Sequence, residues 1–234
     1  MARDVRVVLV DEEVVMGISS LASRGSIRRA IAGAREEAPA EVEGRSVPEP
    51  RPELRDAICE VLASEEKRRE RREAEGQEAE RATVVTVFGV TRGMGKTTLA
   101  TNLALGLAMV TRQKVALLDL DLRSGDAARM MNVVPRRSLT AVAGRTHQIE
   151  GQTMKESLVR HESGVMLLAS RTPATGSPQI SGAQTRRLLQ ELAGAFDYVI
   201  VDTPAALNES VVTALEMSTL ILMLTTIPGR ATAG

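Results

Sequence analysis

Three glycines, a lysine and three threonines lie close together in residues 89–98, where the sequence reads GVTRGMGKTT. This run follows the apolar segment TVVTVF (83–88), and its last three residues begin the helical pattern KTTLATNLALGLAMVTR. A strand, a glycine-rich turn and a helix N-terminus in this order direct backbone N–H groups and the positive end of a helix dipole to one point. Such a point binds phosphate, and the sequence therefore predicts a nucleotide-phosphate loop.

Within this loop, each residue type has a defined chemistry. Lys96 supplies a point charge to the β- and γ-phosphates, and the Thr97 hydroxyl is a ligand for Mg²⁺. The loop meets the pattern GxxxxGK[ST] only in its second half, because Val90 occupies the place of the first glycine. The predicted phosphate-binding residues are Arg92, Gly93, Met94, Gly95, Lys96, Thr97 and Thr98.

Acidic side chains end two of the later apolar segments. Asp119 and Asp121 close the segment 114–122, and Asp202 closes the segment 196–203. Parallel sheets bind ligands at the carboxyl ends of their strands, so we expect all three beside the phosphate loop. Asp202 is predicted to hold Mg²⁺ with Thr97, and Asp119 and Asp121 to act on Lys96 or an attacking water. The alternatives are a helix N-cap role for Asp202 and a purely structural pair of Asp119 with Lys96.

The elements that must position these residues alternate along the chain. Apolar, β-branched segments alternate with helical patterns, which is typical of a parallel sheet covered by helices on both faces. We therefore predict a three-layer α/β fold with a mainly parallel sheet. The predicted strands lie in residues 83–90, 114–122, 164–170, 196–203 and 218–226.

Three regions differ in composition. Residues 1–34 open with the strand-like VRVVLV and form a short N-terminal segment; residues 35–82 are a Pro/Glu/Arg-rich linker with a charged helix. Residues 83–234 form the phosphate-loop domain, which is expected to be short at its C-terminus. Its last strand, 218–226, would then be a bare apolar edge.

Composition limits the functions that this chain can have. The 234 residues carry 30 basic and 30 acidic side chains, and only three are aromatic, so charge and base stacking both argue against a nucleic-acid partner. The single cysteine, Cys59, fits a reducing compartment. The sequence contains no apolar run of about 18 residues, so we expect no transmembrane helix.

Four stretches resemble the MinD/ParA-type deviant-Walker ATPases, and especially their CpaE/TadZ branch, which is linked to pilus assembly. The stretch VALLDLDLRSGDAARMMNV is the most similar, since that branch follows its second strand with a Gly-Asp pair, here Gly125-Asp126, and a short helix. VRVVLVDEE also resembles the first strand of the receiver-like domain found in that branch. The four stretches are residues 93–108, 115–133, 163–173 and 196–226.

The resemblance implies a P-loop NTPase fold, ATP and Mg²⁺ as ligands, a homodimer that forms with ATP, and hydrolysis that resets it. It also implies that Asp121 orients the attacking water, that Asp119 is its acidic partner, and that Asp202 is the Walker B aspartate. A cytoplasmic protein recruited to the membrane face or a cell pole, acting with pilus, secretion or polar-localisation proteins, is the implied setting. One departure is clear: Thr91 occupies the place of the family's signature lysine, with Arg92 beside it.

Three other functions compete with a pilus or secretion ATPase. A scaffold that binds nucleotide without hydrolysing it is favoured by Thr91. A DNA-segregation ATPase is disfavoured by the zero net charge. A tyrosine kinase of related fold is disfavoured because the one tyrosine, Tyr198, lies in a predicted strand.

Overall fold

The computed structural model describes residues 6–11, 59, 63, 82–135, 137, 139–143, 154, 156–169 and 179–225. Most of the predicted linker 35–82, and the end of the predicted domain beyond Thr225, lie outside the described residues. Within the described part, the strands are β1 (Arg6–Asp11), β2 (Thr83–Phe88), β3 (Val115–Asp119), β4 (Val159–Arg160), β5 (Met166–Leu168), β6 (Tyr198–Asp202) and β7 (Leu220–Thr225). The helices there are α1 (Lys96–Thr111), α2 (Asp126–Met130), α3 (Leu139–Ala143), α4 (Gly182–Ala195) and α5 (Glu209–Met217).

The strands form one sheet in the order β1-β7-β2-β6-β3-β5-β4. All neighbouring strands are parallel except β4, which pairs antiparallel with β5. The five predicted strands of the phosphate-loop domain are confirmed as β2, β3, β5, β6 and β7. Parallel strands must be joined by crossovers, and the helices between them fulfil that role.

The first strand has a place that the sequence did not reveal. β1 pairs with β7 in parallel along its whole length, from Arg6 opposite Leu220 to Asp11 opposite Thr225. The strand predicted in VRVVLV therefore belongs to the same sheet as the phosphate-loop domain. The expectation that β7 is a bare edge is wrong, because β1 covers the backbone groups that an edge strand would leave unpaired.

Helices cover both faces of the sheet. Alternate residues of β2 face opposite sides: Val85 and Val87 lie in one apolar cluster with α1, and Val84 lies in the other with α4. This alternation follows from the two-residue repeat of a strand. Helix α4 begins in a capping box, in which the Ser181 hydroxyl accepts from the Gln184 N–H. The predicted three-layer α/β fold is confirmed.

Candidate nucleotide-binding site

The candidate site lies at the carboxyl ends of three adjacent strands. In the sheet, β6 lies between β2, which leads into the phosphate loop, and β3. Asp119 at the end of β3 is in register with Asp202 at the end of β6. The sheet therefore brings the phosphate loop and both acidic segments to one rim, as the sequence predicted.

Two glycines shape the phosphate loop. Gly93 and Gly95 both have φ of +80°, a left-handed conformation that is strained for residues with a Cβ. Gly95 is the N-cap of α1, and its carbonyl accepts the first helical bond, from the Leu99 N–H at 2.8 Å. The N–H groups of the first turn thus remain available for a ligand, and the helix dipole favours an anion there.

Lys96 is the buried cation of this loop and is 8% exposed. Its Nζ donates to the carbonyl oxygen of Thr91 at 2.9 Å, so the loop's own backbone holds the ammonium. Burial lowers the pKa of Lys96, while the negative charges of Asp202 and Asp121 oppose this shift. A phosphate oxygen could replace the Thr91 carbonyl as acceptor and would compensate the buried charge more fully.

Asp202 is fully buried at the floor of the site. Burial raises the pKa of its carboxyl from 3.8 to about 7, although the nearby Thr97 hydroxyl and the Lys96 ammonium favour the charged form. Among the described residues, neither carboxylate oxygen has a hydrogen-bond partner of acceptable geometry. The N-cap alternative is excluded, because the Asn208 side chain caps α5 by accepting from the Val211 N–H at 3.0 Å.

Asp119 is also fully buried, beneath the residues that line the site. Its Oδ1 accepts the backbone N–H of Asp121 at 2.9 Å, and its Oδ2 has no partner within the described part of the chain. Burial, followed by the charge of Asp202, raises the pKa of Asp119 well above its usual value. Asp119 is therefore bonded to the backbone of Asp121. The predicted alternative, a structural pair of Asp119 with Lys96, is not observed, since the Lys96 ammonium donates to Thr91.

A cavity of about 660 Å³ opens above these residues, which is within the range of small-molecule sites. The predicted residues that line it are Arg92, Gly93, Gly95, Lys96, Thr97, Thr98 and Asp121. Among the described residues, the side chains of Met94, Asp119 and Asp202 lie beneath this lining, Met94 being 3% exposed and packed in the core cluster with Val87. The sequence prediction of Met94 as a phosphate-loop residue therefore concerns its backbone alone.

The far wall of the cavity contains residues that the sequence analysis missed. Arg123 follows β3, Gln179 precedes α4, and Asn208 and Ser210 stand at the start of α5. Only Asn208 carried a usable signal, since an Asn before an apolar helical pattern is a typical N-cap. The others line the cavity because three separate loops meet there.

The acidic groups fit Mg²⁺ bound together with phosphates. Within the described residues, no group of three or more His, Cys, Asp or Glu side chains is arranged to hold a metal alone. Mg²⁺ generally keeps several waters and takes only one or two protein ligands beside phosphates. The unpartnered carboxylate oxygens of Asp202 near the Thr97 hydroxyl match that demand.

Several known proteins are similar to this chain in sequence. A family profile described as "AAA domain" matches residues 82–234. The tyrosine-protein kinase ptk of Acinetobacter johnsonii is 32% identical over 130 residues, which cover 54% of this chain and 17% of the kinase. The antiactivator FleN of Pseudomonas aeruginosa is 30% identical, covering 60% of this chain and 49% of FleN. The septum site-determining protein MinD of Thermotoga maritima is 29% identical, covering 61% and 52%.

The fold has solved counterparts as well. MinD of Pyrococcus horikoshii, complexed with Mg-ADP, superposes with a TM-score of 0.53 at 19% identity, covering 62% of this chain and 58% of that one. The chain spans about half the length of FleN and MinD. In the described residues, no helix is both long enough and apolar enough to cross a membrane. The fold is that of P-loop NTPases of the MinD/ParA type, and the chain belongs to the AAA domain family.

Proposed function

We propose that this chain binds ATP with Mg²⁺ and hydrolyses it as a molecular switch. The observation that carries the proposal is the phosphate loop itself, in which two left-handed glycines and a buried lysine line one cavity. Beneath that lining lies the buried carboxylate of Asp202, neither oxygen of which has a hydrogen-bond partner among the described residues. Left-handed glycines and an uncapped helix start favour phosphate groups, and buried carboxylates without partners favour a cation.

The roles of the residues follow from their positions. With nucleotide bound, Lys96 would donate to a phosphate oxygen in place of the Thr91 carbonyl. Thr97 and Asp202 would hold Mg²⁺. Mg²⁺ when bound supplies charge that neutralises the phosphate oxygens. Asp121 lines the cavity and orients the attacking water. Asp119 holds Asp121 in place by accepting the backbone N–H of Asp121.

A scaffold that binds ATP without turning it over is the second candidate, and Thr91 favours it. Thr91 stands where related ATPases carry their signature lysine, and here its carbonyl only accepts from Lys96 of the same chain. Arg92 lines the cavity next to it, but its planar guanidinium is not equivalent to an ammonium. ATP binding with background turnover would support the scaffold.

Phosphate release is the test of hydrolysis. We expect Lys96→Ala to abolish ATP turnover, because the variant loses the cation that faces the phosphates. Lys114→Ala is the matched control, since Lys114 precedes β3 at the opposite end of the strand from the site. Equal phosphate release by the wild type and Lys96→Ala would contradict the proposed hydrolysis.

We also propose the setting in which the switch acts. An ATP-dependent homodimer at the membrane face or a cell pole, positioning a pilus or secretion apparatus, is supported by the resemblance of residues 115–133 to the CpaE/TadZ branch. Deletion in the native host should reduce surface pili or secretion and leave chromosome segregation intact. A segregation defect with retention of DNA that weakens as salt rises would favour the ParA-like alternative.

A further inference from the structure

Thr203, the residue after Asp202, makes a buried contact that the proposed chemistry does not yet use. Its side chain is 1% exposed, and its hydroxyl donates to the backbone carbonyl oxygen of Val87 at 2.7 Å. Val87 is the β2 residue in register with Asp202, and this pair is the last of the β2–β6 ladder. The hydroxyl therefore extends the connection between these two strands one residue beyond the ladder.

The position of this bond matters because both strands leave the sheet there. Val87 lies two residues before Gly89, where the phosphate loop begins. On the other strand, Pro204 follows Thr203 and lines the cavity, and a proline has no backbone N–H with which to continue a ladder. The Thr203 hydroxyl thus ties the start of the phosphate loop to the start of the loop after β6.

Asp202 depends on such backbone ties for its orientation. In the part of the chain that the structure describes, its carboxylate oxygens have no partner that would fix them. Its backbone carbonyl accepts the Leu120 N–H at 2.9 Å on the β3 side. On the β2 side, beyond the ladder, the tie is the bond from Thr203 to Val87.

We propose that Thr203 is a positioning residue, whose hydroxyl bond to Val87 holds the Asp202 carboxylate opposite the Thr97 hydroxyl so that both face one Mg²⁺. The inference rests on the proposed function. Groups that orient a metal's ligands without touching the metal change its affinity by about 10–100-fold when they are lost. Thr203 therefore controls the Mg²⁺-dependent part of nucleotide binding.

The test is a titration of a fluorescent ATP analogue in Mg²⁺ and in EDTA, with thermal unfolding measured in parallel. Thr203→Val removes the hydroxyl and keeps the shape, and Thr203→Ser restores the hydroxyl. The matched control is Thr86→Val, which removes another buried hydroxyl of the same sheet. The Thr86 hydroxyl accepts from the Ser218 hydroxyl at 2.6 Å and takes no part in the rim of the site. We expect Thr203→Val to weaken Mg²⁺-dependent affinity at least about tenfold, Thr203→Ser to bind like the wild type, and Thr86→Val to lose only stability.

Each outcome has a distinct meaning. A wild type that gains no affinity from Mg²⁺ contradicts the proposed function itself. If Mg²⁺ increases the nucleotide affinity of Thr203→Val as much as that of the wild type, the inference is overturned and the proposed function stands. Should Thr203→Val fail to fold, Thr203→Ala decides in the same titration, and a loss of folding in both variants means that the hydroxyl serves the fold and overturns the positioning role.

Discussion

Replacing Asp202 with asparagine should remove a pH-dependent instability that the buried carboxyl causes. Burial raises the pKa of Asp202 from 3.8 to about 7. Between these values the folded protein keeps a proton that the unfolded chain has released, so the free energy of unfolding falls as pH rises through this window. Below about pH 4 both states are protonated and the penalty vanishes; above about pH 7 it is complete.

The size of the effect follows from the shift. The rise is roughly three pKa units, and each unit corresponds to about 1.4 kcal/mol, so the ionised carboxyl destabilises the folded protein by about 4 kcal/mol. Asp119 adds to the trend, because burial and the charge of Asp202 raise its pKa in the same direction. In the Asp202→Asn variant the side chain keeps the shape of the protonated acid without its charge, and the loss of that charge also relieves Asp119.

Urea unfolding from about pH 4 to about pH 8, without nucleotide and with EDTA, measures this difference. We expect Asp202→Asn to lose less stability than the wild type as pH rises and to be the more stable protein at the alkaline end of the series. Glu216→Gln is the control, since Glu216 forms an exposed ion pair with Arg186 at 3.0 Å and should follow the wild-type profile. Parallel pH profiles for the wild type and Asp202→Asn would show that ionisation of Asp202 does not destabilise the folded protein.

Three further predictions concern the stability of the fold. Gly182→Ala should lower the free energy of unfolding by about 1–3 kcal/mol, because its Cβ would lie 2.6 Å from Thr213 Oγ1 and push α4 from α5. Gly194→Ala in the same helix meets nothing within 4 Å in the described part and should stabilise by up to about 1 kcal/mol, as chemical denaturation can check for both. Deleting residues 1–11 should expose the β7 edge, lower the melting temperature and promote association, as thermal unfolding and gel filtration would show; an unchanged monomer of equal stability would contradict the role of β1.

Much of the site could be predicted because its signals are local. The phosphate loop is a contiguous run between a strand and a helix, and Asp202 ends an apolar strand. Both features depend on neighbours in sequence, so spacing alone brings Gly95, Lys96 and Asp202 to one rim. The short helix after Gly125 was implied by the family resemblance and not by a local signal, and it begins at Asp126.

The features that escaped prediction depend on contacts between distant segments. The pairing of β1 with β7 joins residues more than two hundred positions apart, and no local pattern specifies it. The burial of Asp119 depends on where β3 ends: the strand ends at Asp119, so this carboxyl stays inside while Asp121 turns to the cavity. Thr203 was missed because a hydroxyl bonded to a carbonyl 116 positions away leaves no trace in sequence spacing.

We propose above that this rim binds ATP through Lys96 with the help of Mg²⁺. The most direct test of this proposal is a titration of a fluorescent ATP analogue with Mg²⁺, for the wild type and Lys96→Ala, with oligomeric state followed in the same samples. We expect saturable binding and ATP-dependent dimers in the wild type, and loss of both in the variant. A folded wild type that binds no nucleotide, or a Lys96→Ala variant that binds it equally well, would show that this rim is not an ATP site that depends on Lys96.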